Sequence, residues 1–153
     1  MSPEERREFI AKCTPEELLR LDAEFEAWAH EGQLPPQAEG WQTWLMMAGR
    51  GFGKTRAGAE WIYRLGNARP VRIALVAASL DEARAIMVEG VSGLLSVAAR
   101  HGRKLKWEPS LGKLSWPNGS VAQIYSGDHA DGLRGPEPGG WTVALRRCRR
   151  EGA

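Results

Sequence analysis

Cysteine is nearly absent from this chain: Cys13 and Cys148 are the only two in 153 residues, and they stand at opposite ends. That excludes a disulfide framework and any thiolate site that needs closely spaced ligands, and it fits a reducing, cytoplasmic setting. Histidine is equally sparse. His30, His101 and His129 are scattered singly, which gives no support to metal binding or to acid–base chemistry by imidazole, and they read as surface residues. No apolar run approaches membrane-spanning length, and the opening Met-Ser-Pro-Glu-Glu-Arg-Arg lacks the apolar segment of a leader peptide, so the expectation is a soluble, intracellular protein. Charge of one sign is also missing as a total, since the net is only +2. The total hides an asymmetry: acids dominate up to Gly40, whereas Arg103, Lys104, Lys106, Lys113, Arg134 and the cluster Arg146, Arg147, Arg149 and Arg150 fill the C-terminal part. Such a basic portion is compatible with nucleic acid and equally with a solvated face. The length suits a single core.

What the chain does have is glycine in the right place. Thr43 to Met47 is apolar enough for a buried strand, and Ala48-Gly49-Arg50-Gly51-Phe52-Gly53-Lys54-Thr55 follows it directly. This is the layout of a phosphate-binding loop with Ala in place of the usual first Gly. Gly49, Gly51 and Gly53 let successive backbone N–H groups turn toward a polyphosphate. Lys54 adds a point charge for the β- and γ-phosphates, and the Thr55 hydroxyl is placed to ligate Mg²⁺. A helix reading from Ala57 through Ala59, Trp61, Ile62 and Leu65 directs its positive N-terminal end at the same anion. The bland alternative is a glycine-rich strand-to-helix turn that binds nothing.

Around the loop, Ser2-Pro3-Glu4-Glu5 and Thr14-Pro15-Glu16-Glu17 each spell a capping box with proline in the first turn, and predict two opening helices. In the second, Leu18, Leu21, Phe25 and Trp28 form one apolar stripe. Val71 to Ala78 reads as a second buried strand, and Ser79 with Glu82 as another capping box opening a helix that Gly90 interrupts. Leu105–Glu108, Lys113–Trp116 and Val121–Tyr125 read as short strands, with Pro117-Asn118-Gly119 turning between the last two as a β-hairpin beside the sheet. The βαβα order predicts an α/β fold: a P-loop NTPase three-layer core with a parallel sheet, an N-terminal helical pair and a hairpin insertion. Residues 1–36 are expected to be N-terminal helices, 37–135 a partial ATPase domain with an incomplete core, and 136–153 a disordered or frame-shifted tail.

Several stretches together resemble the N-terminal ATPase half of phage large terminase subunits, in particular those of lambdoid-type prophages and gene transfer agents. They are Trp41-Gln42-Thr43-Trp44-Leu45, the run from Ala48 through Glu60-Trp61-Ile62, Val88 to Leu95, Leu114-Ser115-Trp116-Pro117-Asn118-Gly119-Ser120, and Leu133-Arg134-Gly135. The resemblance implies an ATP- and Mg²⁺-dependent motor that drives double-stranded DNA into a capsid in a bacterial host cell. It also implies a small terminase subunit and a portal ring as partners, and a homo-oligomer. Under it Arg50 is a candidate contact to the γ-phosphate, and Arg134 looks like an arginine presented in trans to a neighbouring subunit's ATP. Arg134 reads equally well as a turn arginine that only braces the backbone. Gln42 is a candidate for the adenine edge, with Trp41 stacking on the base.

The resemblance breaks after Gly135. Family members continue into an apolar strand ending in adjacent acids, where the Asp orders the Mg²⁺ shell and the Glu activates water. Here the sequence runs Pro136-Glu137-Pro138-Gly139-Gly140-Trp141-Thr142-Val143-Ala144-Leu145-Arg146-Arg147, with arginines where the acids belong. The nuclease domain that the resemblance implies is expected to be missing. A frameshift just after Gly135 accounts for both, and implies a truncated copy with little or no turnover. Other functional readings are a different P-loop ATPase or translocase, and a non-catalytic nucleotide-binding remnant.

Overall fold

The computed structural model describes residues 2–38, 40–128 and 141–144. They fall into two units, Met1–Met46 and Met47–Ala153.

In the first unit local chemistry sets the helices. The Ser2 hydroxyl accepts from the Glu5 N–H and the Glu5 carboxylate accepts from the Ser2 N–H, so the capping box is closed and opens α1 (Pro3–Lys12). Thr14 and Glu17 repeat the arrangement at α2 (Pro15–Ala23). Hydrogen bonds from the Thr14 backbone N–H and then its hydroxyl hold the Glu17 carboxyl below its ordinary range. The apolar stripe expected on one continuous helix crosses a break, because the backbone leaves helical geometry at Glu24 (φ −84°, ψ 66°) before α3 (Phe25–Trp28). Side-chain packing bridges the break: the Trp28 indole donates to the Leu21 carbonyl at 2.8 Å and meets the buried Phe25 edge-on, with centroids 4.9 Å apart.

The buried parallel strand expected over Thr43 to Met47 does not form. This stretch has no regular secondary structure, and Leu45 and Met47 are 74% and 81% exposed. An apolar run becomes a strand only when another strand pairs with it, and none of the described residues does so here.

The second unit runs α4 (Lys54–Ala68), β1 (Arg72–Ala77), α5 (Leu80–Glu82), a π-helical turn (Ala83–Val88), α6 (Leu94–Arg100), β2 (Lys106–Glu108), β3 (Lys113–Ser115), β4 (Val121–Ser126) and β5 (Trp141–Ala144). The strands make one sheet in the order β2-β3-β4-β1-β5. It is mixed, which corrects the expectation of a parallel sheet. β1 pairs parallel with β4 and β5, whereas β2, β3 and β4 are antiparallel. The hairpin is therefore not beside the sheet but part of it. The register explains why: Ile73 lies opposite Ala122 and Leu75 opposite Ile124, so the buried side chains of both strands fall on one face. β5 differs from the expectation of a disordered tail. The run Trp-Thr-Val-Ala is rich in residues that suit a pleated surface, and β1 offers it an edge. The rest of that tail, Pro136 to Gly140 and from Leu145 onward, lies outside the described residues, as does His129.

One core joins these elements: Ile62 and Tyr63 of α4, Ile73 and Leu75 of β1, Met87 and Val88 of the π turn, Leu94 and Val97 of α6, and Leu114, Trp116 and Ile124 of the hairpin. Ser79 caps α5 by accepting from the Glu82 N–H, which is one half of the expected capping box, and the helix widens at once into the π turn. That turn is tied to β2 through Glu89, whose Oε1 accepts from the Trp107 indole and from Arg84 at 2.9 Å each. The indole bond first, and then the guanidinium, hold the Glu89 carboxyl below its ordinary range.

The Trp116-to-Ser120 turn is the joint between hairpin and helix. Asn118 Nδ2 donates to the Gly66 carbonyl at 2.7 Å. The Ser120 hydroxyl lies 2.7 Å from the same carbonyl and 3.1 Å from that of Arg69, and it accepts from the Val71 N–H. The end of α4 and the start of β1 are thereby fixed to the hairpin before either strand ladder begins. Among the described residues no helix is long and apolar enough to cross a membrane.

Candidate nucleotide-binding site

The loop expected to cradle phosphate leads into α4, the longest helix among the described residues. Gly51 (φ +83°) and Gly53 (φ +85°) sit in the left-handed region, where a side chain is strained, and Gly53 is the residue that enters the helix. Gly49 is not in that region, so its role is space: a methyl built there meets nothing within 4 Å. Among the described residues no side chain caps the start of α4. None of the described residues supplies its first N–H groups with the kind of side-chain acceptor that Ser2 and Thr14 give to α1 and α2.

Lys54 turns back on the loop. Its ammonium donates to the carbonyls of Ala48 and Gly49, both at 2.7 Å. The lysine thus stands at the mouth of its own loop and closes the ring Ala48 to Lys54. Thr55 follows in the first turn of α4, half-buried, and Arg50 is exposed at the loop's apex. Phe52 is half-buried between the two left-handed glycines. Gln42 is exposed and belongs to the first unit, whereas the loop belongs to the second. Leu133, Arg134 and Gly135 lie outside the described residues, as does Glu137.

Behind the loop the structure places a group of residues that sequence reasoning missed. Arg56 and Glu60 are one helical turn apart on α4 and both are buried, with Glu60 only 1% exposed. Arg56 Nε donates to Glu60 Oε1 at 2.7 Å, and its Nη2 reaches the same oxygen at 2.6 Å. Glu60 Oε2 lies 3.0 Å from His101 Nε2, at the end of α6. The Tyr63 ring stacks on the imidazole with centroids 4.7 Å apart, and burial raises the Tyr63 phenol above its ordinary range. His101 is therefore not the surface residue expected of a lone histidine. Arg56 and Glu60 at four-residue spacing are visible in the sequence as a pair. Their partner 41 positions away carries no local signal.

Residues 45–139 match the family model described as terminase large subunit, T4likevirus-type, N-terminal. The match takes in the loop, all of α4, the π turn, the hairpin and the Leu-Arg-Gly segment. No curated protein and no solved structure matches the chain. A family match over more than half of the sequence settles the assignment: this chain belongs to the terminase large subunit family, T4-like type, through its N-terminal region.

Proposed function

We propose that this chain carries the ATP-binding portion of a DNA-packaging motor of the lambdoid-prophage and gene-transfer-agent kind. The observation that carries the reading is the loop itself. Two left-handed glycines deliver Lys54 and Thr55 to the N-terminus of a 15-residue helix that, among the described residues, has no side-chain cap, inside the segment that matches the family. The residues fit a nucleotide phosphate. Gly49 and Gly51 leave open space where a Cβ would stand, and the ammonium of Lys54 is already at the loop, held by carbonyls it can exchange for phosphate oxygens. In this reading Lys54 exchanges those carbonyls for the β- and γ-phosphates, Thr55 holds Mg²⁺ through its hydroxyl, and Arg50 contacts the γ-phosphate. Mg²⁺ supplies neutralisation of charge on the transferring phosphoryl group. Arg134 acts on the ATP of a neighbouring subunit in an oligomer. Double-stranded DNA, a small terminase subunit and a portal ring are the partners this reading assigns, in the cytoplasm of a bacterial host.

A second reading, nucleotide binding with little turnover, is favoured by one observation. The strand β5 is followed in sequence by Leu145, Arg146 and Arg147 rather than by adjacent acids. A cation there cannot order Mg²⁺ or activate water. Titration calorimetry with Mg-ATP beside a phosphate-release assay tests both readings. The expected result is a saturable heat with phosphate release slower than about 1 s⁻¹, the low end of competent enzymes. Absence of binding heat would remove the nucleotide reading, and faster release would show that an unrecognised group supplies the missing acid.

A further inference from the structure

We infer that the buried Arg56–Glu60–His101 network is a positioning device for the phosphate loop, fixing the first turns of α4, and through them Lys54 and Thr55, against the end of α6. The inference rests on the nucleotide reading of the loop. It starts from how α4 begins. Among the described residues the helix has no side-chain cap, so nothing of that kind holds its first turn in place. Arg56 is the third residue of the helix, next to Thr55, and its guanidinium is tied inward to Glu60. The two oxygens of Glu60 divide the task. Oε1 takes both Arg56 nitrogens on its own helix, while Oε2 reaches across to α6. An ionised carboxylate only accepts, so in this contact the imidazole donates from Nε2. Tyr63, one turn further along α4, lies flat on the same ring. His101 is thus held at its edge by one residue of α4 and at its face by another.

This geometry resists the motions that would displace the loop. A slide of α4 by one residue is about 1.5 Å and a rotation of about 100°. Either would take Glu60 away from His101 and leave one oxygen of a buried carboxylate without its donor, which is strongly unfavourable. Stability alone does not account for the network, because a buried ion pair is often replaced by apolar residues of similar volume without loss. What such a replacement discards is the fixed direction of the bonds.

The test uses the full 153-residue chain and the triple variant Arg56→Met, Glu60→Leu, His101→Phe, with His101→Phe alone as the fallback if the triple variant does not fold. The single variant keeps a ring for Tyr63 and leaves the pair on α4 intact. Three measurements are compared with the unaltered chain: melting temperature, hydrogen exchange of the amides of residues 51–57 against those of β1 and β4, and Mg-ATP affinity. For the triple variant the expected result is a melting temperature within a few degrees, loop exchange at least about tenfold faster with strand exchange unchanged, and affinity about five- to tenfold weaker; His101→Phe alone also lowers the melting temperature, because Glu60 Oε2 loses its donor, and still raises exchange more in the loop than in the strands. His101→Gln, which still donates to Glu60, is expected to restore loop exchange. Unchanged loop exchange in the variants would overturn the inference, and so would exchange that rises equally in the strands, since that is loss of global stability. If the loop loosens selectively while even the unaltered chain binds no Mg-ATP, the positioning role stands and the nucleotide reading falls.

Discussion

Lys54→Ala is expected to weaken Mg-ATP binding by about tenfold to a hundredfold while leaving the fold intact. Hydrogen bonds to a charged group contribute about 1.5–3 kcal/mol, which is the size of that loss. The cost to the free protein is small by comparison. Lys54 bonds two carbonyls of an accessible loop, and these can turn to water when the ammonium is gone. Affinity and stability should therefore separate: titration calorimetry shows the loss and thermal melting does not. A Lys54→Ala chain that binds Mg-ATP as tightly as the original would mean that the loop is a structural turn. Lys54→Arg is a harsher change than its charge suggests, because a planar fork cannot occupy the place of a compact ammonium.

Trp116→Ala is expected to cost about 3–5 kcal/mol, the usual range for emptying a buried aromatic site. Trp116 is 4% exposed and packs directly on α4. The contact is close because Gly66 has no side chain: a methyl there would lie 2.6 Å from the indole Cε2. Gly66→Ala should therefore also destabilise, by about 1–3 kcal/mol, despite the higher helix propensity of alanine. The decisive measurement is the double variant. With the indole gone the methyl has room, so Gly66→Ala on a Trp116→Ala background should cost little or even stabilise, and the two changes should be strongly non-additive. Urea unfolding of the four chains measures this directly. Additive losses would show that the indole and the glycine are not a single packing unit. Among the described residues the indole nitrogen has no hydrogen-bond partner, so Trp116→Phe should lose less than its volume suggests, because it also removes a buried donor left without an acceptor.

How much of this can be read from the residues depends on whether the deciding interaction is local. Ser2, Thr14 and Ser79 announce their helices because a capping side chain and the N–H it binds are three residues apart. Pro117-Asn118-Gly119 announces the hairpin for the same reason. The loop glycines are legible as a need for left-handed backbone, although only Gly51 and Gly53 use it. The departures are mostly non-local. Thr43 to Met47 has the composition of a strand, and no described strand pairs with it. Trp141 to Ala144 is too short to stand as a strand by itself, and β1 gives it a partner. His101 looks isolated in sequence because its partners come from another helix. The break at Glu24 is a different case: the apolar spacing runs straight through it, and the turn is set by a backbone angle that periodicity does not encode. The candidate site divides the same way. Lys54 and Thr55 can be placed from spacing alone, whereas the network behind them requires the fold.

The mixed sheet also has a consequence for how the chain reaches its native state. β2, β3 and β4 follow one another in sequence and pair as neighbours, with only a short turn between β3 and β4. β1 must instead meet β4 across roughly forty intervening residues. By the logarithmic dependence of closure entropy on length, that meeting costs about 2 kcal/mol more than closing the hairpin turn. The antiparallel half of the sheet can therefore zip by local contacts, while the parallel half waits for a rarer encounter. Ser120 and Asn118 sit where the two halves join, bonded to the last turn of α4 just ahead of β1. Once the hairpin exists, those bonds hold the start of β1 within reach of β4, and the long search becomes a short one.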